Sequence, residues 1–314
     1  MTRRRRPMTG PVHVRLGGYA PADSTHGQAL DRIAAGLRAG LGDRVKVEIE
    51  HNILDRGRPA QALLSEVESG ATTACFFSTS YLADRVPDLA ILDLPYVFGS
   101  LGHAHACLDG DLGTRLSERT RAATGLLPLG YWDNGFRHLS NAHREVRTPA
   151  DCRGLRVRLQ PNWAHERLFR ELGAEPVPND LSAGIRMLRS GELDAQENPL
   201  ANFVAYGVHE LHPHLTFTGH AYGARGVYAS ARQLATWPDS DLEVLHESVA
   251  TAIAQQRSAA AAKEAELETW LTARGTRLLR LGEEEYAGFR TAAAPVLEEA
   301  ALRLGEEPFA LIET

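Results

Sequence analysis

The chain has 314 residues, 43% of them hydrophobic and 24% charged, with a formal net charge of −6. That length is about twice a common domain, so two domains are the starting expectation. An acidic chain is not built around nucleic acid, and any attraction for a small anion must come from individually placed arginines.

The start, Met1 to Gly10, carries Arg3 to Arg6 but no apolar stretch behind them, so no export signal is visible. Val12 to Leu16 then alternates apolar and polar residues, as a half-buried strand does. Ile33, Leu37 and Leu41 recur on one helical face, and Gly42-Asp43 closes that helix. Val45 to Ile49 alternates again, a helix is expected from about Pro59 to Glu68, and Ala74 to Phe77 forms a short apolar strand. This order is the signature of parallel α/β units. Cys75 lies in that strand and reads as a small buried hydrophobe. With Cys107 and Cys152 it makes an odd, widely spaced set that suggests no disulfide framework.

Asn134-Gly135 is a turn signal that opens a second alternation. Leu155 to Leu159 reads as a strand, Trp163 to Leu172 as a helix, Pro176-Val177 as a short strand, and Ala183 to Arg189 as a helix ending at Gly191. The longest helical pattern runs from Ser240 to Arg274. Ser240 with Glu243 suggests a capping box, and Gly275 supplies the stop. It is either one helix of about 50 Å at 1.5 Å per residue or two helices broken near Ser258. No segment approaches the roughly 18 apolar residues of a membrane span. Without a linker between the halves, the chain is expected to cross between them more than once.

The chemistry-bearing residues point to binding rather than turnover. Arginine suits a carboxylate because its planar fork donates two parallel hydrogen bonds. Period two puts Arg156 and Arg158 on one strand face, Arg158 nearer the carboxyl end where open α/β sheets bind ligands. The alternative is a structural Arg–Asp pair. Arg137 follows the Asn134-Gly135 turn and projects either from a crossover or from the surface. Asn198 precedes a proline, so it ends a strand or makes an Asx turn before a helix. It can donate to a ligand oxygen, and its neighbour Glu197 suits a hydroxyl or a cation. His103, His105 and Cys107 fall on a helix where i and i+2 point apart. His209, His212, His214 and His220 have no accompanying thiolate or carboxylate pattern. The phosphate-loop, dinucleotide, nucleophile-elbow and zinc-protease motifs are absent from the sequence.

Several segments follow one another along the chain in a characteristic order and spacing: Val86-Pro87 to Asp93-Leu94-Pro95-Tyr96, Gly135-Phe136-Arg137, Asp151 to Arg158, Leu172 to Pro178, Gly191 to Pro199, and Phe289 to Val296. Taken together, the chain resembles the extracytoplasmic solute-binding proteins of TRAP (tripartite ATP-independent periplasmic) transporters, the organic-acid-binding family. The resemblance implies an α/β, two-domain periplasmic-binding-protein-like fold with a central cleft, crossover strands and a long domain-spanning helix. The implied domains are about 1–134 with 224–263, and about 135–223 with 264–314. It implies capture of a small organic acid by hinge closure and delivery to TRAP membrane permease subunits from a periplasmic location, with no enzymatic step.

By the same resemblance, Arg158 pairs with the ligand carboxylate, Arg137 is a second cleft arginine, and Asn198 donates to the same carboxylate. Leu181 stands where many relatives place an aromatic. Ser78 and Thr79, followed by Ser80, form one ligand-facing loop. Tyr19 to His26, including Ser24, forms the other. Some relatives use a cation near the position of Glu197, and no other cofactor is expected. The competing expectation is an intracellular sensor or enzyme on the same fold, with Glu197, His220 and Tyr222 as its titratable candidates.

Overall fold

The computed structural model describes residues 11–312, so the arginine-rich start lies outside the described residues. In chain order the strands are β1 (Val12–Gly17), β2 (Val45–Glu50), β3 (Ala74–Ser78), β4 (Leu126–Asn141), β5 (Arg156–Leu159), β6 (Glu175–Pro178), β7 (Ala195–Asn198), β8 (His214–Ser230) and β9 (Arg277–Arg280). The α-helices are α1 (Thr25–Leu41), α2 (Ala62–Ser69), α3 (Leu101–Asp109), α4 (Asp111–Thr124), α5 (Trp163–Glu171), α6 (Leu181–Ser190), α7 (Leu200–Ala205), α8 (Ala231–Leu234), α9 (Asp239–Ala273), α10 (Glu283–Leu304) and α11 (Glu307–Ala310).

The chain divides into two compact units. One holds the residues up to Ser78, Gly113–Asp133 and Arg225–Ala260; the other holds Thr79–Leu112, Asn134–Ala224 and the residues from Ala261 onward. Residues 79–112, expected in the first domain, belong to the second unit. Two strands, β4 and β8, and the helix α9 each contain a crossing point. These are the crossover strands and long helix that the resemblance implied.

In the first unit, β1 pairs in parallel with β2 and β3, and the Arg225–Ala229 stretch of β8 runs antiparallel to β3. β3 is buried along its whole length, as expected of a central strand covered on both faces. Phe76 and Phe77 are fully buried in it, and burial of such a side chain stabilises by about 1.5–3 kcal/mol. Cys75 is buried among them, and burial pushes its thiol well above the usual range. α1 packs Leu30, Ile33 and Leu37 inward, the periodicity visible in the sequence.

In the second unit, β7 runs antiparallel to β4 and parallel to β5, and β5 pairs in parallel with β6. The His214–Phe217 end of β8 runs parallel to β9. A core of Leu188, Leu193, Leu200, Phe203, Val208, Leu215, Leu267 and Leu271 lies behind these strands and holds α6, α7 and the end of α9.

Two local readings are corrected. Asn134-Gly135 is not a turn but lies inside the continuous strand β4, with Gly135 at φ 90°. The Asn134 side chain accepts from Asn202 of α7 at 3.3 Å, so tertiary partners override the local turn preference. Ser240 is not the helix cap either. α9 begins at Asp239, and the Pro238 carbonyl accepts from the N–H groups of Asp241 and Leu242. α9 is one unbroken helix of 35 residues, without a break at Ser258. Gly275, at φ 84°, ends it in a Schellman motif: Thr276 N–H donates to Leu271 and Gly275 N–H to Thr272.

Candidate functional site

β5 and β7 stand side by side in the second unit, with Arg158 opposite Gln196 in the register. The alternation of β5 places Val157 inward on one face and Arg156 and Arg158 on the other, as the sequence predicted. The two arginines then part company. Arg156, at the exposed beginning of β5, forms a two-pronged ion pair with Asp194, both N···O distances 2.7 Å. That is the structural Arg–Asp pair, at the wrong arginine for a ligand.

Arg158 is only 2% exposed. Its Nε donates to Asn179 Oδ1 at 3.2 Å, and its Nη2 donates to the Asn179 carbonyl at 3.0 Å and to the Tyr81 hydroxyl at 3.1 Å. All of these acceptors are neutral. Among the described residues no carboxylate lies within ion-pair distance of Arg158. Taking a guanidinium out of water is expensive unless an anion compensates it. The side chain is therefore oriented by neutral groups and left with an uncompensated charge, the electrostatic condition for holding a carboxylate.

Arg137, on β4, is equally buried but already matched. Its Nε and Nη2 donate to the two carboxylate oxygens of Glu197, and Nη2 also reaches the Glu197 carbonyl at 2.9 Å. Burial alone would raise the Glu197 carboxyl; the Arg137 guanidinium outweighs it and holds the group well below the usual carboxylate range. His220 Nε2 stands 3.3 Å from Glu197 Oε2, with Thr218 on its other ring nitrogen at 2.8 Å. His165 is fully buried with its ring between Glu197 and Asp93, at 4.0 and 3.6 Å, and burial lowers it to about 3, so it is neutral. Asp93 accepts from Ser80 at 2.5 Å and Asn162 at 2.8 Å, yet burial pushes its carboxyl up to about 7.

Glu197 is thus the counter-ion of an arginine. A cation at its carboxylate would have to displace a fixed guanidinium, and among the described residues no group of three His, Cys, Asp or Glu side chains is placed to hold a metal. The residues present do not fit the cation that the resemblance allowed.

Asn198 ends β7 and Pro199 is the N-cap of α7; the Asn198 oxygen accepts from side chains rather than from a backbone N–H, so the strand-end alternative holds and the Asx turn is not made. Its Oδ1 accepts from Arg137 and from Asn202, each at 3.4 Å, and its Nδ2 donates to Gln196 Oε1 at 2.7 Å. A carboxamide nitrogen carries a second hydrogen, which remains for a ligand oxygen. The structure therefore brings Arg137, Glu197 and Asn198 into direct contact, and Gln196 links Asn198 to the strand position beside Arg158.

The remaining expected residues have local roles. Leu181 is buried as the first residue of α6. Thr79 is buried and donates to the Ala224 carbonyl at 3.2 Å. Tyr222, on β8, sits edge-on to Phe98, His105 and Phe136 in an aromatic cluster. In the first unit, the Ser78 N–H donates to the Tyr19 hydroxyl at 3.2 Å. Ser24 is the N-cap of α1, accepting from Gly27 N–H at 3.0 Å and donating to the Pro21 carbonyl at 2.6 Å. Its hydroxyl is committed to the helix end, which the Ser-x-x-Gly spacing did not reveal. Sequence reasoning missed Tyr81 and Asn179 entirely. Asn179 stands just before Asp180, the N-cap of α6, and that helix start was the available signal.

The description bacterial extracellular solute-binding protein, family 7 (DctP) matches residues 16–303, and the chain belongs to that family. The family consists of solute-binding transport proteins, so the enzyme reading falls. A solute-binding protein of Verminephrobacter eiseniae is 32% identical over 209 residues, 67% of this chain and 62% of that protein. The chain spans less than two thirds of the length of the first curated relatives that it matches. The sugar acid binding protein of Advenella mimigardefordensis, solved with galactonate, has a TM-score of 0.91 at 27% identity, covering 97% of both chains. A TRAP periplasmic solute-binding protein from a Polaromonas species, bound to D-erythronate, has a TM-score of 0.90 at 27% identity, covering 96% of this chain and 98% of that one. Among the described residues no helix is long and apolar enough to cross a membrane.

Proposed function

We propose that this protein captures a small organic acid in the periplasm and delivers it to the permease of a TRAP transporter. The observation that carries the reading is Arg158: buried, aimed by Tyr81 and Asn179, and without an acidic partner among the described residues. A ligand carboxylate supplies the missing charge, and a bidentate guanidinium–carboxylate pair is among the stronger and more directional contacts available. Asn198 adds a donor through its second amide hydrogen. Arg137, already neutralised, serves to fix Asn198 and Glu197 rather than to supply net charge. The galactonate- and erythronate-bound relatives support an aldonate-like acid as the cargo.

The test is calorimetry and thermal shift on protein freed of ligand by unfolding and refolding, with galactonate, D-erythronate and succinate as probes. An acid at 100 times its Kd should add about 2.7 kcal/mol to stability. Binding that survives replacement of the carboxylate by a neutral amide of the same acid would sink the assignment of Arg158.

A further inference from the structure

We infer that Gly184 is a positioning residue for Arg158, and that the missing side chain at 184 is what allows the guanidinium to lie against α6. The inference rests on the carboxylate role of Arg158 proposed above, but its geometry stands separately.

Gly184 is the fourth residue of α6, in the interior of a ten-residue helix. Glycine is a poor helix former, and alanine at such a place is favoured by the backbone. Gly184 is not among the glycines of positive φ, so its backbone conformation does not require glycine. The reason lies in space. A Cβ built at 184 would stand 2.5 Å from Asn179 Oδ1, 2.8 Å from Arg158 Cγ and 2.8 Å from Arg158 Nε. These are the atoms of the Nε–H···Oδ1 bond that aims the arginine, at 3.2 Å, together with the stem that carries it. Two of the three atoms belong to the middle of the Arg158 side chain, which cannot swing aside without moving the guanidinium.

Other helical glycines have a different reason. Cβ atoms at Gly36 and Gly40 on α1 would meet Ser248 and Val244 of α9, so those positions serve helix packing. At Gly184 the space is filled by an arginine without a counter-ion among the described residues. Any side chain there either displaces Arg158 or breaks its bond to Asn179, and in both cases the fork leaves the orientation in which it meets a carboxylate.

The experiment is a double-variant cycle of Gly184→Ala and Arg158→Ala, read by thermal melting without ligand and by calorimetry with galactonate and D-erythronate. In the Arg158→Ala background the two Arg158 contacts are gone and Asn179 Oδ1, released from Nε, is free to turn aside, so Gly184→Ala should raise Tm through helix propensity. In the wild-type background the gain should vanish or reverse. Gly184→Ala alone should lower affinity for the carboxylate probe by roughly tenfold or more, the scale of a misaligned charge-assisted pair. Equal Tm changes in the two backgrounds would show that 184 does not act on Arg158. Unchanged affinity in folded Gly184→Ala protein would equally overturn the inference. If the wild-type protein binds none of the probes, the organic-acid reading fails, and the ligand-free melting cycle still decides whether Gly184 holds Arg158.

Discussion

Arg137 on β4 and Arg158 on β5 are buried to the same degree in the same unit, yet their surroundings differ in one decisive respect. Arg137 meets Glu197 with two of its nitrogens and forms a closed ion pair. Among the described residues Arg158 meets only a carbonyl, an amide and a phenol. The first arrangement is charge-balanced within the protein, and the second has no acidic partner among the described residues, which is the basis for the proposed carboxylate role. Burial alone therefore does not mark a binding arginine; the sign of its partners does.

The comparison is open to direct attack, beginning where the effect is largest. Removing the acid from the closed pair, with Glu197→Ala, strands Arg137 in the interior and should cost about 3–5 kcal/mol of stability, measured by denaturant unfolding. Arg158→Ala should invert the pattern. Affinity for the carboxylate probe should fall by about 2–5 kcal/mol, while ligand-free stability falls by less than about 2 kcal/mol. The contrast fails if the two variants lose equal stability in the absence of ligand.

Titration sharpens the same contrast through the two buried carboxyls near Arg137. The folded pKa of Glu197 is depressed, so its contribution is present above its unfolded value of about 4.3 and is lost as pH falls below it. Asp93 is raised to about 7, so the folded state holds a proton there that the unfolded state has released. Stability from this group therefore falls as pH rises from about 4 to 7 and is flat above. Asp93→Asn should remove that decline, and Glu197→Gln should flatten the acid limb. Urea midpoints between pH 3 and 8 read both, and an unchanged slope in Asp93→Asn would show that the carboxyl is ordinary.

The smallest expected effect is Tyr81→Phe, which removes one of the neutral acceptors that aim Arg158. Affinity should fall by about 1 kcal/mol, roughly fivefold, with melting nearly unchanged. A loss as large as that of Arg158→Ala would mean that Tyr81 itself touches the ligand.

Much of this molecule was legible beforehand because strands and helices here obey local periodicity. β1, α1 and β2 fall where alternation and the Ile33–Leu37–Leu41 stripe put them, since each buries one regular face, and β3 falls on its apolar run because it is buried along its whole length. The placement of Arg158 on one face of β5 with Arg156, near the strand's carboxyl end, was legible because period two is a sequence-level fact. The cap formed by Ser24 was not legible: its hydroxyl closes a helix end, a role that the sequence reading did not assign to it.

By itself, then, the sequence determined which elements form and the two α/β halves, and it supplied the arginines and the asparagine on which the proposed recognition rests. Tertiary structure decided that Arg137 meets an acid and that Arg158, among the described residues, does not. It also moved residues 79–112 to the second unit, and Tyr81 with them, to meet Arg158 from 77 positions away. It turned Asn134-Gly135 from a turn into the interior of a strand. The physical reason is common to all three. Charge compensation, the packing of residues 79–112 and strand pairing depend on neighbours distant in sequence, and local propensity carries no information about who those neighbours are.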